Sequence, residues 1–447
     1  MIDRRELLRA LGASAAAAAL APLGCGRGRV RAPTNVELGA DQLRQALRDA
    51  VTVMGERLDQ PRAWVLSRRR VRALVDVAVA EVVEERMTVG VLSGRTADGR
   101  RVERCFDAVT PPQIAAVAEA LAREAGGARA TPAAAIPAPQ DRREPVEVDP
   151  ETLVEGGWLA RVRELARRGE QAASSRIVYR AAWLATDDDR VWAVGEDGDR
   201  HQRLVRSRLG ATFVAWQGSL PQFGEVELAG GFGPAVERVN DDEIVRAADD
   251  ALALFTPTPP PIGRQVVLLD PSVVAALVDA HVRSRRVELP DRPAVKIVDE
   301  PVASGFAGSW FDDDGTIGGR ARRVPPDWRL AETPSQLALT EGKATAVELE
   351  AGIDDGLVIE GLRNVHVDDA GMAVLRVARG RQLTRGSRTG RQWGDLEVRG
   401  RASELLSDAM GTSRDRREIA VAVAPARAVM APWLLTRALV GRARGSR

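Results

Sequence analysis

Histidine and cysteine, the residues that most often bind zinc or serve as acid, base or nucleophile, are scarce in this chain. Its 447 residues include three histidines, His201, His281 and His366, and two cysteines, Cys25 and Cys105. These residues cannot form a CxxC pair, a zinc finger or a disulfide scaffold. Any metal site or acid–base machinery must therefore use carboxylates or a single histidine.

Other catalytic templates are also missing from the sequence. It contains no GxSxG nucleophile elbow and no GxxxxGK[ST] phosphate loop. Gly231–Pro234 begins like a dinucleotide-binding loop but lacks the third glycine and a following helix start, so it predicts a turn. The 64 basic residues are balanced by 63 acidic ones, so the protein as a whole has almost no net positive charge to attract a nucleic acid. We therefore expect no nucleic-acid partner.

Two short charge runs could also bind a ligand. Asp187–Asp189 is a run of three aspartates, but no twelve-residue loop with a terminal glutamate follows it, as a calcium-binding EF-hand would need. The run therefore predicts a solvated hairpin turn. Arg68–Arg70 predicts a solvated helix face rather than a binding patch.

The first 25 residues resemble a twin-arginine export signal. Arg4 and Arg5 precede two leucines and the alanine-rich run Ala13–Ala21, which is too short to span a bilayer. Leu23–Cys25 resembles the end of a bacterial lipobox, which makes Cys25 a candidate for lipidation. We expect export by the twin-arginine route to the periplasm, or a lipid anchor on the cell envelope as the only membrane contact. A plain signal and an uncleaved helix in a cytoplasmic protein remain alternatives.

The elements that would position a site begin with an N-terminal α/β half-domain over residues 40–126. Apolar residues recur at helical spacing from Asp41 to about Ala80, Met87–Leu92 predicts a strand, and Thr110–Glu124 predicts a helix that begins with prolines. Residues 127–148 are rich in alanine and proline and predict a linker. Residues 149–256 continue the domain with helices over Leu153–Arg168 and Asp241–Leu254 and with strands between them.

A proline run at residues 257–261 predicts the boundary of a second domain, over residues 262–425. Gln265–Leu269 predicts a strand and Val273–Arg285 a helix. Short strands separated by glycines follow, which indicates a β-rich domain. The predicted fold class is α+β, with an N-terminal α/β domain followed by a β-rich C-terminal domain.

Three segments of the chain resemble the TldD/PmbA family of metallopeptidase-like proteins. Val266–Pro271 and the alanine-rich helix after it resemble the family's metal-binding helix and the strand before it. Gly308–Gly315 resembles the family's glycine–serine and aspartate-rich turn, and Gly352–Leu357 resembles a later glycine–leucine segment. The resemblance covers most of residues 40–415 and implies a TldD/PmbA-like fold.

Catalytic members of that family have the motif HExxxH on this helix and a cysteine near the C-terminus as a further zinc ligand. In the resemblance, the two histidines and the glutamate correspond to Asp279, Ser284 and Ala280, within a degenerate helix over 272–285. No cysteine follows Cys105. The resemblance therefore implies neither catalytic residues nor a cofactor. If the alignment is displaced, zinc is the cofactor and His281 and Asp279 are the candidate ligands, although they lie roughly 200° apart around a helix.

The resemblance implies a non-catalytic, pseudo-peptidase protein that binds peptide or acts as a scaffolding subunit of a peptide-processing complex. Its expected partners are a second copy of itself or a catalytic TldD-type paralogue, together with a peptide ligand. A peptide could add as a strand to a segment in which glycines allow close backbone approach. An active metallopeptidase with divergent ligands and an envelope structural or assembly protein remain alternatives. The candidate peptide-binding residues are Gly305, Gly308, Ser309, Asp312 and Gly315.

Overall fold

The described strands form one sheet over residues 59–230 and a second sheet with a small hairpin over residues 263–442, and we call these parts the N-terminal and C-terminal domains. The computed structural model describes residues 39–126, 134–218, 220–256, 258–284, 295–299, 305–368, 370–423 and 426–442. The predicted export signal and Cys25 lie outside the described residues. Within them, no helix is long and apolar enough to cross a membrane.

The N-terminal domain is a mainly antiparallel sheet covered by helices on one face. Its helices are α1 (Ala40–Gly55), α2 (Pro111–Glu124), α3 (Glu155–Ala172) and α4 (Asp241–Leu252). Its strands are β1 (Asp59–Asp76), β2 (Ala80–Arg95), β3 (Arg101–Phe106), β4 (Pro139–Arg143), β5 (Tyr179–Gly195), β6 (Gly198–Gln217) and β7 (Leu220–Gly230). The strand order is β3-β2-β1-β5-β6-β4, and β7 also pairs with β6.

The helices begin and end where the sequence provides the signals. Thr110 caps α2 by accepting a hydrogen bond from the backbone N–H of Gln113, and prolines occupy the first turn. In α1, Leu43, Leu47 and Met54 recur at helical spacing and are buried against the sheet. The apolar stripe of each helix thus covers one face of the sheet and leaves the other face for the second domain.

The helical pattern predicted from Asp41 to about Ala80 is wrong over its second half. The helix ends at Gly55, and Asp59–Asp76 is the long strand β1. Pro61 has no backbone N–H and disfavours a helical conformation in the residue before it, so the chain cannot continue as a helix there. Within the predicted linker, residues 139–143 form β4, which pairs in parallel with β6.

The C-terminal domain is built on a closed five-stranded barrel. Its helices are α5 (Pro271–Ser284), α6 (Ala346–Ala351) and α7 (Ala402–Ser407). Its strands are β8 (Gly263–Leu269), β9 (Ile297–Asp299), β10 (Ala321–Val324), β11 (Arg329–Glu332), β12 (Gln336–Leu339), β13 (Asp355–Val367), β14 (Met372–Thr384), β15 (Ser387–Arg401), β16 (Gly411–Val423) and β17 (Ala426–Arg442). The order β15-β14-β13-β8-β17 closes because β15 also pairs with β17.

Further strands extend this barrel at β17, and a large apolar core fills the domain. β12, β9 and β16 add to β17 or to one another, while β10 and β11 form a separate hairpin. Side chains of α5 pack with those of the barrel strands in one core. The predicted α+β class, with a β-rich C-terminal half, is confirmed.

Candidate functional site

Helix α5 carries the positions at which the family resemblance would place zinc ligands. The helix is fixed at its start by Asp270, whose carboxylate accepts hydrogen bonds from the backbone N–H groups of Val273 at 2.9 Å and of Gly361 at 2.7 Å. Burial raises the pKa of Asp270, against the effect of these hydrogen bonds. The bonds join the start of α5 to β13, so the helix lies at a defined position on the barrel.

Asp279, which the resemblance aligns with the family's first histidine, lies between two arginines. It is only 5% exposed, its Oδ2 accepts a hydrogen bond from Nε of Arg283 at 2.8 Å, and its Oδ1 lies 3.3 Å from Nη1 of Arg427 on β17. Ala280 is buried and offers no base, and only the backbone of Ser284 is described. Guanidinium groups therefore supply the positive charge that faces this carboxylate.

His281 is the other candidate ligand on the helix. It is buried, and its burial lowers the pKa of the imidazole and favours the neutral form at pH 7. Among the described residues, no three His, Cys, Asp or Glu side chains form a group that could hold a metal ion. Zinc needs three or four donors of these types, and Asp279 is already paired with arginines. The described residues around α5 therefore do not fit a zinc site.

The candidate peptide-binding residues lie together in a loop that joins the barrel to the N-terminal sheet. At one end, the backbone N–H of Phe306 donates to Oε1 of Glu418 on β16 at 2.6 Å. Further along, Gln202 on β6 accepts from the N–H of Trp310 at 2.8 Å and donates to the carbonyl of Phe311 at 3.0 Å. Arg200 donates to the carbonyl of Gly315 at 2.8 Å. The loop is therefore held by both domains.

Within this loop the predicted residues have distinct local roles. Asp312 is buried, and its carboxylate accepts from the N–H groups of Asp314 at 3.0 Å and Thr316 at 2.8 Å, which fixes the turn. Gly315 completes that turn with a φ of +86°, a conformation that favours glycine. Ser309 accepts a hydrogen bond from Arg322 at 2.7 Å. Gly308 donates its N–H to the carbonyl of Gly305 at 3.2 Å.

Beneath this loop, the open face of the N-terminal sheet carries a ladder of buried ion pairs. Arg68 and Arg70 on β1 lie directly opposite Asp189 and Asp187 on β5. Each arginine binds its aspartate with two hydrogen bonds, at 2.6 and 2.8 Å for Arg68 and at 2.6 and 3.1 Å for Arg70. Arg206 on β6 also binds Asp189. Burial alone would lower the pKa of Arg68, but its pairing with Asp189 raises it.

Both sequence predictions about these charge runs are wrong. Asp187–Asp189 is not a solvated turn but lies inside β5, and Asp189 is only 2% exposed. Arg68–Arg70 is not a helix face but lies inside β1. The hairpin turn itself is at Glu196 and Asp197, between β5 and β6. Arg68 and Arg70 neutralise Asp189 and Asp187 across the strand pair, whereas Asp188 pairs with Arg203 on β6.

A cavity of about 60 Å³ lies between this ladder and the loop from the second domain. Its aromatic wall consists of Trp64 and Trp328, with ring centroids 6.1 Å apart, and Arg323 lies 5.4 Å from the centroid of Trp64. The charged residues that line it are Arg68, Asp189, Arg206, Asp313, Arg322 and Arg323. Sequence reasoning missed this cavity, because its walls are more than 100 residues apart and no single segment carries its pattern.

Comparison with known proteins identifies the fold. No protein-family model and no curated protein sequence matches the chain. The chain is similar to the solved structure of TldE from Thermococcus kodakarensis, with a TM-score of 0.68, 15% identity and coverage of 89% of this chain and 100% of that one. It is also similar to a candidate modulator of DNA gyrase from Bacteroides thetaiotaomicron, with a TM-score of 0.66, 12% identity and coverage of 90% and 99%.

A third similar structure is a candidate modulator of DNA gyrase from Thermotoga maritima. Its TM-score is 0.64 at 16% identity, with coverage of 86% of this chain and 96% of that one. The chain therefore has a TldD/PmbA-like fold over most of its length. This confirms the fold that the three sequence segments predicted.

Proposed function

We propose that this chain is a non-catalytic, TldD/PmbA-like protein that binds peptide or acts as a scaffold in a peptide-processing complex. The observation that carries the proposal is the arrangement of Asp279 between Arg283 and Arg427, at 2.8 and 3.3 Å. A metallopeptidase needs an ion with an open coordination position and a base for the attacking water. Here arginines occupy the charge-compensating positions around Asp279, and Ala280 stands where the base would be.

The peptide-binding part of the proposal rests on the loop from Gly305 to Gly315 and on the strands near it. This loop contacts both domains through Gln202 and Glu418, so a peptide that bound beside it would contact both domains. A peptide that adds as a strand is held mainly through its backbone and needs no titrating residue. Loss of the catalytic groups is therefore compatible with peptide binding.

The partner and the location are further parts of the proposal. We propose a homodimer, or a heterodimer with a catalytic TldD-type paralogue, in which the intact HExxxH motif would be supplied by the other subunit. We also propose export by the twin-arginine route, with a periplasmic protein or one anchored through Cys25. Cell fractionation of the chain and of a Cys25→Ser variant tests the anchor, because only the lipidated form should stay with the membrane fraction.

Fluorescently labelled, unfolded casein fragments test the function. Their anisotropy reports binding to the purified chain, and their size on a gel reports cleavage in the same sample, with and without added zinc. We expect saturable binding without new fragments. Zinc-dependent fragments that disappear in an Asp279→Ala variant would overturn the non-catalytic assignment. Absence of both binding and cleavage would overturn the peptide-binding assignment in favour of a purely structural role.

A further inference from the structure

We propose that the cavity between the N-terminal sheet and the loop of the second domain is a binding site for a carboxylate group attached to an apolar moiety. Such a group is the C-terminus of a peptide that ends in an apolar residue, or a free aliphatic acid. The site is 60 Å³ in volume and is separate from α5. The lining residues alone support this site, so it does not depend on the proposed pseudo-peptidase function.

The charge of the lining favours an anion. Four guanidinium groups, those of Arg68, Arg206, Arg322 and Arg323, line the cavity together with two carboxylates, those of Asp189 and Asp313. Carboxylates beyond the lining, those of Asp187, Asp314 and Glu103, also act on these arginines, and Glu103 lies 3.5 Å from Arg323. The lining itself presents more guanidinium than carboxylate groups to a ligand, which favours an anion over a cation.

Buried hydrogen-bond donors in the lining also lack partners. Among the described residues, nothing accepts a hydrogen bond from Nε of Arg206, Nε of Arg323 or Nε1 of Trp64. The side chains of Arg206 and Arg323 are only 10% and 2% exposed. Donors of this kind are satisfied by an ordered water or by a bound acceptor, and a carboxylate is one such acceptor. Burial also lowers the pKa of both guanidiniums, as expected for cations without a full set of partners.

The remaining lining selects the kind of anion. Asp189 and Asp313 both line the cavity and would repel a dianion such as phosphate, so a singly charged carboxylate fits better. Leu66, Leu204 and Pro325 join the two tryptophans as an apolar surface for the group that carries the carboxylate. A water needs roughly 10–15 Å³ of such space, so the cavity can take several waters or a carboxylate with its first carbon atoms.

Calorimetric titration of the intact chain with matched ligands tests the site. The ligands are N-acetyl-L-leucine, its uncharged amide, isovalerate and inorganic phosphate. We expect saturable binding of N-acetyl-L-leucine and at least roughly tenfold weaker binding of the amide, since the amide cannot form charge-assisted hydrogen bonds to arginine. Isovalerate that binds as well as N-acetyl-L-leucine would assign the site to free acids, and weaker isovalerate binding would assign it to peptide C-termini.

Two variants locate the bound carboxylate. Arg323→Met should weaken the binding of N-acetyl-L-leucine by roughly tenfold or more, whereas Arg329→Met, which removes an 80% exposed arginine on the neighbouring β11, should leave it unchanged. The comparison of acid with amide needs only the wild-type chain, so it tests whether the site prefers a carboxylate even if Arg323→Met does not fold. Equal affinity for acid and amide, tighter binding of phosphate, or unchanged affinity in a folded Arg323→Met variant would overturn the proposal.

Discussion

At the scale of single residues, the burial of the charged side chains in β1 and β5 depends on the register in which these two strands pair. Arg68–Arg70 and Asp187–Asp189 are separated by more than 100 residues, and each run alone has the composition of a solvated segment. The antiparallel pairing of β1 with β5 places Arg68 opposite Asp189 and Arg70 opposite Asp187. Opposite charges at directly facing positions stabilise a strand pair, and here they allow four charged residues to lie within the two strands.

Breaking one of these pairs should destabilise the N-terminal domain. Arg70→Met leaves Asp187, which is 7% exposed, without its bidentate partner. We expect a loss of about 2–4 kcal/mol in the free energy of unfolding, somewhat less than for a fully buried pair because Arg70 is partly exposed. Arg70→Met combined with Asp187→Leu should recover to within about 1 kcal/mol of wild type, since no uncompensated charge remains.

Urea denaturation measures these changes as shifts of the midpoint at constant slope. Arg86→Met, in the exposed part of β2, is the matched control and should change the free energy of unfolding by less than about 0.5 kcal/mol. A single variant as stable as wild type would show that the pair does not need its charge balance. A double variant as unstable as the single one would assign the loss to packing instead.

At the scale of elements, the sequence predicted the helices better than the strands. Helices α2, α3 and α5 are within a few residues of their predicted bounds, because apolar periodicity and proline or capping residues mark them locally. β1 was missed because its apolar residues also fit a helical pattern. The middle of β5 was predicted as a solvated turn, since its aspartates are buried only through partners in β1 and β6 that are distant in sequence.

Glu418 on β16 connects the barrel to the loop of the candidate site and should make stability depend on pH. Its carboxyl accepts from the N–H of Phe306 at 2.6 Å, and burial raises the pKa to about 7. The folded protein therefore holds this proton more tightly than the unfolded chain, in which the pKa is about 4.3. The resulting contribution to the free energy of unfolding is complete below about pH 4.3 and is lost as the pH rises towards 7. We expect Glu418→Gln to remove that loss and to be more stable than wild type by about 1–3 kcal/mol at pH 8.

Thermal or urea unfolding of both proteins at pH 5 and pH 8 checks this prediction. The difference between Glu418→Gln and wild type should be larger at pH 8 than at pH 5. Glu404→Gln, which changes an exposed carboxylate on α7, should show no such difference. If Glu418→Gln and wild type changed in parallel with pH, Glu418 would be ionised in the folded protein, contrary to this account.

Gln202 on β6 should be needed to hold the same loop on the sheet. It is 2% exposed, and its amide pairs with the backbone of Trp310 and Phe311. Gln202→Leu keeps the approximate size but leaves these buried backbone groups without partners, at a cost of about 2–4 kcal/mol. Limited proteolysis should then cleave the loop faster than in wild type, whereas Gln113→Leu on the exposed face of α2 should not change the cleavage rate.

At the scale of the whole molecule, the order of local motifs identified the fold although no single motif is specific. The strand and helix at residues 266–284, the turn around Asp312 and the segment beginning at Gly352 follow the order expected for a TldD/PmbA-like fold, and the structural similarity to TldE spans 89% of the chain. The closed barrel was not predicted, because the pairing of β15 with β17 is set by contacts distant in sequence. The interface cavity was not predicted for the same reason.

The proposed function places arginines where the family resemblance would place zinc ligands, and the zinc content of the protein tests this proposal most directly. The chain is purified without chelators, exposed to excess zinc, passed through a gel-filtration column and subjected to elemental analysis. We expect the elemental analysis to find far less than one zinc per chain, because Asp279 is paired with Arg283 and Arg427. About one zinc per chain, the content of a mononuclear site, that disappears in an Asp279→Ala variant would contradict it.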